Sequence, residues 1–313
     1  MKFQTPILFL IFNRPDTTQK VFNEIKKQKP KYLYIASDWP RKNKEWENKI
    51  VEITRDLVLN SIDRDCEVKT LFRKDNLWCK LAVSEAITRF FDHVEEGIIL
   101  EDDCLPDPSF FGFCETMLKT YRDDKRIMHI SWDCFLPKER QNDREYFFSY
   151  HNHIWWWATW KRAWKMYDPD IKTLPKFKEK KVINSITNNY FSKKNWLHNF
   201  DLVYNWKHDT WDYQWTYCLR ANNWLAILPW VNLISNIWFA PDALHTKNET
   251  WVSNLATKEI KYQNLLHPDF ISPDTKIFKY TEKKVIQSYK QYIAILLKKF
   301  WLYKIIARIL WYN

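Results

Sequence analysis

The chain has 313 residues, with 49 Lys and Arg against 38 Asp and Glu, and a formal net charge of +11. Its length suits one or two domains with a sizeable core, and it contains no uninterrupted apolar stretch long enough to span a bilayer. The positive balance predicts an anionic partner, such as a phosphorylated molecule or an acidic membrane surface. No nucleic-acid-binding motif is visible, so we expect no nucleic acid partner.

The first 131 residues alternate apolar runs with amphipathic segments. Strands are predicted at residues 6–12, 32–37, 67–72, 97–100 and 127–131, and helices after residue 15, over 45–60, over 83–94 and after Asp107-Pro108. Strands that alternate with helices in this way predict an α/β fold with a Rossmann-like, doubly wound and mostly parallel sheet.

Polar groups follow the predicted strands at their carboxyl ends. They are Asn13-Arg14, Asp38, the loop 73–80 and the triplet Glu101-Asp102-Asp103. In doubly wound sheets, ligands bind at the carboxyl ends of the strands. The sequence therefore predicts one crevice that gathers these groups.

The triplet Glu101-Asp102-Asp103 places three carboxylates side by side. Adjacent carboxylates repel each other unless a cation lies among them, and Mg²⁺ and Mn²⁺ prefer oxygen ligands. Because side chains alternate along a strand, Glu101 and Asp103 are expected on one side and Asp102 on the other. A divalent metal site is therefore predicted, with a solvated acidic turn as the alternative.

Beyond residue 131 the pattern is less regular. Residues 132–245 are predicted to add a mixed-sheet half, which gives a domain of residues 1–246 and an extension of residues 247–313. From residue 285 onward, apolar residues recur at helical spacing with Lys and Arg between them, which predicts a basic amphipathic helix. Such a helix either lies on an anionic membrane or packs on the preceding domain.

The six cysteines show no CxxC pairing, so a reducing compartment is expected. We predict a cytoplasmic protein, either free or peripheral on the inner face of the membrane.

The segment "EGIILEDDCLPDPSFF" resembles the metal-binding segment of GT-A fold glycosyltransferases, especially the N-acetylglucosaminyltransferase I type and related bacterial sugar transferases. The same resemblance is carried by "PILFLIFNRP", "YLYIASD", "HISWDC", "IWWWATWKRAW", "DTWDYQWTYC" and "SNIWFAPDALHT". It covers most of residues 5–246 and leaves the C-terminal tail unmatched. It implies sugar transfer from a nucleotide-diphosphate donor, with a UDP-sugar expected, in the synthesis of a surface polysaccharide or glycoconjugate.

The resemblance also implies roles for individual residues. Asp103 would bind Mn²⁺ or Mg²⁺ directly, and His245 would lie near the metal or the diphosphate. Glu101 and Asp102 would contact the ribose and donor sugar, and Asp38 the uracil edge. The remaining donor contacts would be Phe12, Asn13 and Arg14 near the base and ribose, and Arg73 and Lys80 at the diphosphate. For Arg14 and Lys80, solvated surface charge is the alternative.

An inverting sugar transfer needs a base that takes the proton of the acceptor hydroxyl. The family's tryptophan-aspartate pair is matched within "DTWDYQW", so Asp212 is implied as that base, with Asp209 as the runner-up. Helix capping is the structural alternative for Asp212. The acceptor side is implied at Trp155, Trp156 and Trp157, although aromatic residues at this density equally suit a core.

Two other functions stay open at this point. A sugar-phosphate nucleotidyltransferase is expected to carry a glycine-rich, Lys/Arg-bearing loop after the first strand, and "FNRPDTT" is a poor version of one. A non-catalytic sugar- or lipid-binding module is the other. The glycosyltransferase is the preferred prediction, with a glycan or lipid-linked acceptor, because it accounts for the triplet and Asp212 together.

The glycine and tryptophan contents are abnormal, with 2 glycines and 19 tryptophans, where about 22 glycines would be ordinary for this length. Several tryptophans occupy turn-like contexts, "SDWPR", "YNWK" and "NNWLA", in which glycine would supply a positive φ. We hypothesise that some tryptophans are UGA codons that the source organism reads as glycine; the alternative is a tryptophan-rich protein. The candidates are Trp39, Trp78, Trp132, Trp156, Trp206, Trp224 and Trp238. Taken literally, Trp132 and Trp156 would crowd the donor and acceptor pockets.

Overall fold

The structure, a computed structural model, describes residues 2–63, 65–134, 136, 145–154, 156–237, 255–286 and 288–299. The predictions for Trp155, Trp238 and His245 fall outside these residues. The α-helices are α1 (Pro15–Lys27), α2 (Glu45–Asn60), α3 (Trp78–His93), α4 (Ser109–Thr120), α5 (Lys161–Trp164), α6 (Leu174–Glu179), α7 (Tyr190–Tyr204), α8 (Asp212–Ala221), α9 (Thr275–Tyr280) and α10 (Ser288–Lys299). The strands are β1 (Ile7–Ile11), β2 (Tyr32–Ser37), β3 (Glu67–Phe72), β4 (Glu96–Glu101), β5 (Cys104–Pro106), β6 (Ile127–Ile130), β7 (Tyr146–Ser149), β8 (Trp156–Trp160), β9 (Leu225–Pro229) and β10 (Ile234–Asn236).

Eight strands form one sheet in the order β3-β2-β1-β4-β8-β6-β9-β7. The strands β3, β2, β1 and β4 run parallel to one another. Strand β8 is antiparallel to β4 and β6, β9 is parallel to β6, and β7 is antiparallel to β9. The predicted α/β class is confirmed: the sheet is parallel in its first half and mixed in its second.

The parallel half forms where the sequence has continuous apolar runs. Strands β1 and β4 are buried along most of their length, as expected for strands covered by helices on both faces. Helix α1 has Pro15 in its first turn and buries Val21, Phe22 and Ile25. Because β1 to β4 are parallel, their carboxyl ends open at one edge of the sheet.

A second sheet of two strands lies next to the carboxyl end of β4. Strand β5 begins directly after Asp103 and pairs antiparallel with β10. The amide of Ile237 donates a hydrogen bond of 2.8 Å to the carbonyl of Asp103. The triplet is therefore anchored by β4 on one side and by the second half of the chain on the other.

The C-terminal segment contacts the second half of the sheet domain through buried polar groups. Glu282 is 2% exposed and accepts hydrogen bonds from the hydroxyls of Thr187, at 2.8 Å, and Ser192. Asn195 on α7 donates to Gln291 on α10 at 2.6 Å. The described part of the predicted amphipathic helix thus contacts α7, and the division at residue 246 stays a prediction. None of the helices within the described ranges has the length and apolar character needed to cross a bilayer.

Candidate functional site

Four of the predicted site carboxylates lie around the start of helix α3. Burial raises the pKa of the Cys79 thiol, and the negative charges of Glu101, Asp209, Asp212 and Asp38 raise it further. These carboxylates come from the ends of β4 and β2 and from the region where α8 begins. The structure therefore brings the strand-end residues and the second acidic stretch together around the start of α3, the region called the crevice below.

One arginine pairs with two members of the triplet. Arg14 Nη1 lies 3.2 Å from Asp102 Oδ1 and 2.7 Å from Asp103 Oδ2, and the amide of Phe12 donates to Asp102 Oδ2 at 3.0 Å. The expectation that Asp102 and Asp103 point to opposite sides is wrong. Strand β4 ends at Glu101, so strict alternation no longer applies and both aspartates reach the same guanidinium.

The triplet places three carboxyl groups near one guanidinium, and the pKa is raised for two of them. Burial raises the pKa of Glu101 well above its ordinary value, and repulsion from Asp103 and Asp102 adds to it. Burial also raises the pKa of Asp102 to about 6, although the attraction of Arg14 opposes the shift. For Arg14, burial lowers the pKa, but the attraction of Asp102 and Asp103 outweighs it and the net shift is upward. One buried and two half-buried acids beside one guanidinium suit a further cation.

Asp38 stands at a small cavity of about 50 Å³ at the ends of β1, β2 and β3, and Arg73 lines the same cavity. Both Asp38 oxygens accept from the Leu77 amide, at 3.1 and 3.0 Å. Burial raises the pKa of Asp38 in spite of these bonds. Arg73 Nη2 lies 2.8 Å from Glu85 Oε2. The residues predicted for the base and for the diphosphate thus share this cavity.

Phe12 and Asn13 follow β1 at the same edge, and protein contacts already engage their side chains. Asn13 Nδ2 donates to Glu47 Oε1 at 3.1 Å. The guanidinium of Arg41 lies 5.8 Å from the centre of the Phe12 ring and pairs with the buried Glu47. Their expected roles near the base and ribose stay predictions.

Lys80 and Asp209 are engaged within the protein. Lys80 is 2% exposed; its Nζ lies 3.5 Å from Asp170 Oδ1 and 3.1 Å from the centre of the Trp206 ring. Burial lowers the pKa of Lys80, against the attraction of Asp170. The two Asp209 oxygens accept from the amides of Cys79, at 3.0 Å, and Lys80, at 3.1 Å. Asp209 therefore holds the first turn of α3.

Asp212 is the first residue of α8, in the same short segment as Asp209. Its Oδ1 accepts hydrogen bonds from the hydroxyl of Thr210 and from the amide of Tyr213, the latter at 2.7 Å. Its charge acts on both Glu101 and Cys79. Asp212 consequently belongs to the crevice. Both of these hydrogen bonds are accepted by Oδ1.

Trp156 and Trp157 lie in β8 and are 0% and 1% exposed. The Trp156 ring packs on Phe110 at 5.7 Å between centroids, and the Trp157 ring stacks on Trp211 at 5.6 Å. Their rings therefore meet other core aromatics, as in the core alternative. The backbone of Trp156 pairs with Leu100, immediately before the triplet, so position 156 is close to the site through its main chain.

An aspartate-histidine pair at the same edge of the sheet was not predicted from the sequence. Asp133 is 3% exposed, and its Oδ1 lies 2.5 Å from His153 Nδ1. The hydroxyl of Ser131 accepts from the His153 amide at 3.0 Å. Asp133 follows β6, which runs in the same direction as β4, so both strands end at one edge. The pair has no characteristic spacing, and neither it nor Cys79 gives a local sequence signal.

The triplet provides oxygen donors for a divalent cation, although no group of three or more His, Cys, Asp or Glu side chains within the described ranges is arranged as a metal cage. Mg²⁺ in nucleotide enzymes is usually held by one or two carboxylates together with substrate phosphates. The buried and half-buried acids at the end of β4 fit that mode of binding. Asp103 and its neighbours are therefore the residues that would hold the ion.

Comparison of the sequence with protein-family models and with curated proteins gave no match. Among solved structures, mannose-1-phosphate geranyltransferase from Thermus thermophilus has a TM-score of 0.38 and 11% identity, over 75% of this chain and 76% of that chain. HddC from Yersinia pseudotuberculosis has a TM-score of 0.34 and 9% identity, over 55% and 86%. Glucosyl-3-phosphoglycerate synthase from Mycobacterium tuberculosis, crystallised with Mn²⁺, UDP-glucose and phosphoglyceric acid, has a TM-score of 0.25 and 12% identity, over 41% and 43%. Likeness at this level does not identify a reaction.

Proposed function

We propose that the protein is a metal-dependent, inverting glycosyltransferase of the GT-A type. It moves a sugar from a nucleotide-diphosphate donor, with uridine as the expected base, to a hydroxyl of a glycan or lipid-linked acceptor. The observation that carries the proposal is the undercompensated triplet at the end of β4, which shares one crevice with Asp212 and Asp38.

The proposed chemistry assigns separate tasks to the acids. Asp212 takes the proton of the acceptor hydroxyl while the acceptor oxygen bonds to the anomeric carbon, and the bond from that carbon to the diphosphate breaks. Asp212 suits this role better than Asp209, because both oxygens of Asp209 hold backbone amides. A bound divalent cation would offset the charge of the departing nucleoside diphosphate.

The donor is proposed to lie across the ends of the parallel strands. Asp38 and Arg73 border the small cavity that would take part of the base. Glu101 and Asp102 lie next to it at the end of β4, where the ribose and the sugar are expected. Arg14 holds the two aspartates together and would keep them oriented as the donor binds.

A panel of nucleotide sugars with Mn²⁺ tests the proposal. We expect release of a nucleoside diphosphate with at least one UDP-sugar, and no pyrophosphate. Pyrophosphate formed from a nucleoside triphosphate and a sugar phosphate, without donor turnover, would instead identify a nucleotidyltransferase. Binding of a sugar or lipid with neither product would identify a non-catalytic module. For substitutions of the crevice aspartates by asparagine, the matched control is Asp123→Asn, at an exposed site beyond the end of α4.

A peripheral membrane contact belongs to the same proposal, since lipid-linked acceptors reside in membranes. Helix α10 exposes Tyr289, Ile293 and Leu296, which fall on one face at helical spacing. Co-sedimentation with vesicles of anionic and of neutral lipid checks this. We expect the protein to sediment with the anionic vesicles, and less of the Ile293→Glu variant to do so. Equal sedimentation with anionic and neutral vesicles would contradict a membrane contact.

A further inference from the structure

The end of helix α7 adopts a backbone conformation that glycine normally supplies. Trp206 has φ 55°, the amide of Trp206 bonds to Val203 O at 3.2 Å, and the amide of Lys207 bonds to Leu202 O at 2.8 Å. This pair of bonds is the Schellman closure, whose left-handed residue is usually glycine and sometimes asparagine. A bulky side chain in this region is an outlier.

Helix α8 ends with the same closure and provides an internal comparison. Asn223 has φ 54°, its amide bonds to Arg220 O at 3.2 Å, and the amide of Trp224 bonds to Leu219 O at 3.0 Å. Here the left-handed residue is asparagine, which tolerates that conformation. The fold therefore uses one closure twice, with an ordinary residue in α8 and with tryptophan in α7. Trp224 itself has no backbone reason to be glycine.

Trp78, at the start of α3, repeats the anomaly, with φ 61°. Its backbone is held on both sides, because the amide of Leu77 bonds to Asp38 and the amide of Cys79 bonds to Asp209. The two tryptophan side chains are 57% exposed at Trp78 and 62% exposed at Trp206. Burial of the indoles therefore does little to offset the strained backbone.

The buried tryptophans divide by whether the indole N–H is satisfied. Nε1 donates to a protein acceptor at Trp160, Trp164 and Trp215. Within the part of the chain that the structure describes, the buried Nε1 has no acceptor at Trp132, Trp156, Trp157, Trp196 and Trp230. Buried indole N–H groups usually find a partner. Trp132 and Trp156, like the other three, thus have an indole N–H without a hydrogen-bond acceptor among the described residues.

We propose that the protein made in its own cell carries glycine at positions 78 and 206, because these codons are UGA read as glycine. The proposal joins the composition, 2 glycines against 19 tryptophans, to two exposed tryptophans whose backbone is left-handed. Trp160, Trp164 and Trp215 are genuine tryptophans in this assignment. It does not depend on the reaction proposed above.

Glycine at position 206 changes the crevice. The Trp206 ring centre lies 3.1 Å from Lys80 Nζ, and Lys80 is 2% exposed. Without that ring, the ammonium of Lys80 opens to solvent next to Asp170. The native protein would therefore present a cation that the tryptophan form covers.

Mass spectrometry of the protein purified from its source organism is the direct test. The tryptic peptides 75–80 and 195–207 contain positions 78 and 206, and the peptide 208–220 contains Trp211 and Trp215. We expect the mass of glycine at 78 and 206 and that of tryptophan at 211 and 215. Tryptophan at 78 and 206 would overturn the proposal, and UGG codons at those positions in the gene would do so equally.

A recombinant comparison tests the physical basis separately. Trp206→Gly is expected to raise the folding equilibrium constant roughly tenfold, because it removes the left-handed penalty, and to increase the rate at which Lys80 is acylated. Trp215→Gly, at a buried tryptophan with a satisfied N–H, is expected to lower the equilibrium constant. Equal losses of stability in the two variants, with no change in Lys80 acylation, would contradict the assignment of position 206.

Discussion

Two regions of the molecule bury charge, and they balance it differently. In the crevice, Glu101, Asp102 and Asp103 have Arg14 as their shared guanidinium. Near α7 and α8, Arg220 and Glu282 are 1% and 2% exposed and offer one charge of each sign. Because uncompensated buried charge is costly, the first region is suited to a cationic ligand and the second to holding the structure together.

The second region is contacted mainly by neutral groups, and Nε and Nη1 of Arg220 have no hydrogen-bond partner among the described residues. Glu282 accepts from two hydroxyls, Arg220 Nη2 lies 3.1 Å from His151 Nδ1, and the Arg220 guanidinium lies 4.0 Å from the centre of the Trp196 ring. These contacts join α7, α8 and the C-terminal segment. Buried charge alone therefore does not mark a functional site; an imbalance of sign at the ends of parallel strands is more informative.

The largest effect is expected on activity in the crevice. Asp212→Asn should lower the rate of nucleoside diphosphate release by roughly a thousandfold, because it removes the proposed base. Asp103→Asn should abolish the rise in thermal midpoint that Mn²⁺ and UDP produce. Asp212→Asn should not reduce the free energy of unfolding, whereas Asp103→Asn relieves like-charge repulsion but also weakens the ion pair with Arg14, so its effect on stability should be small. A loss of stability equal to that of a core variant would place these acids in the structural class instead.

A large effect on stability is expected in the second region. Arg220→Met should lower the free energy of unfolding by about 3 kcal/mol, because it removes the buried cation whose charge stabilises the ionised form of Glu282. The double variant Arg220→Met, Glu282→Gln should recover most of the loss. Urea denaturation measures both values, and a single variant as stable as the wild type would remove the contrast between the two regions.

An intermediate effect is expected from pH. Burial lowers the pKa of His129 to about 3, although the hydrogen bond that its Nε2 donates to His153 O opposes the shift. Below about pH 6.5 the unfolded chain therefore binds a proton that the folded chain does not bind. The free energy of unfolding consequently falls as the pH decreases toward 3. One fully active group contributes about 1.4 kcal/mol per pH unit.

The raised pKa of Asp102 acts in the opposite direction, because the folded protein then binds the proton first. The slope of unfolding free energy against pH should therefore be compared between wild type and His129→Asn. The variant should lose the equivalent of about one proton from the slope between roughly pH 6 and 4. Identical slopes would show that His129 is charged in the folded protein.

The smallest effect is expected at Asp209, which holds the first turn of α3. Asp209→Ala should lower the free energy of unfolding by about 1 kcal/mol, as for the loss of a helix cap. Asp212→Asn, three residues later, should leave the free energy of unfolding unchanged. Chemical denaturation of the two variants therefore distinguishes a capping residue from a catalytic one within one segment. Comparable destabilisation by both would show that Asp212 is a structural residue as well.

Local periodicity was enough to predict much of the fold. Helix α2 occupies residues 45–60 as predicted. The runs of β1, β2 and β4 are recognisable because these strands are largely buried, whereas β3 is exposed or half-buried along its length. The rule that ligands bind at the carboxyl ends of parallel strands then located the crevice. Trp206 has the positive φ that its turn-like context predicts, whereas Trp39 and Trp224, in contexts of the same kind, do not.

The pairings within the site could not be predicted. Arg14 meets Asp102 and Asp103 across sequence separations of 88 and 89 residues, and the partners of Asp209 lie in α3, in the first half of the chain. Contacts between distant segments depend on how elements pack, and no sequence period encodes them. The expectation for Asp102 failed for the related reason that a strand's end is set by its tertiary partners.

The pairing of β5 with β10 has a consequence for the order of assembly. Asp103 is followed by β5, whose partner strand ends at Asn236, so these contacts form only when both halves of the polypeptide are present. During synthesis, the parallel half can collapse early, whereas the acidic tip of β4 acquires its second anchor late. The triplet of a nascent chain would thus lack this anchor until the later half has emerged and docked.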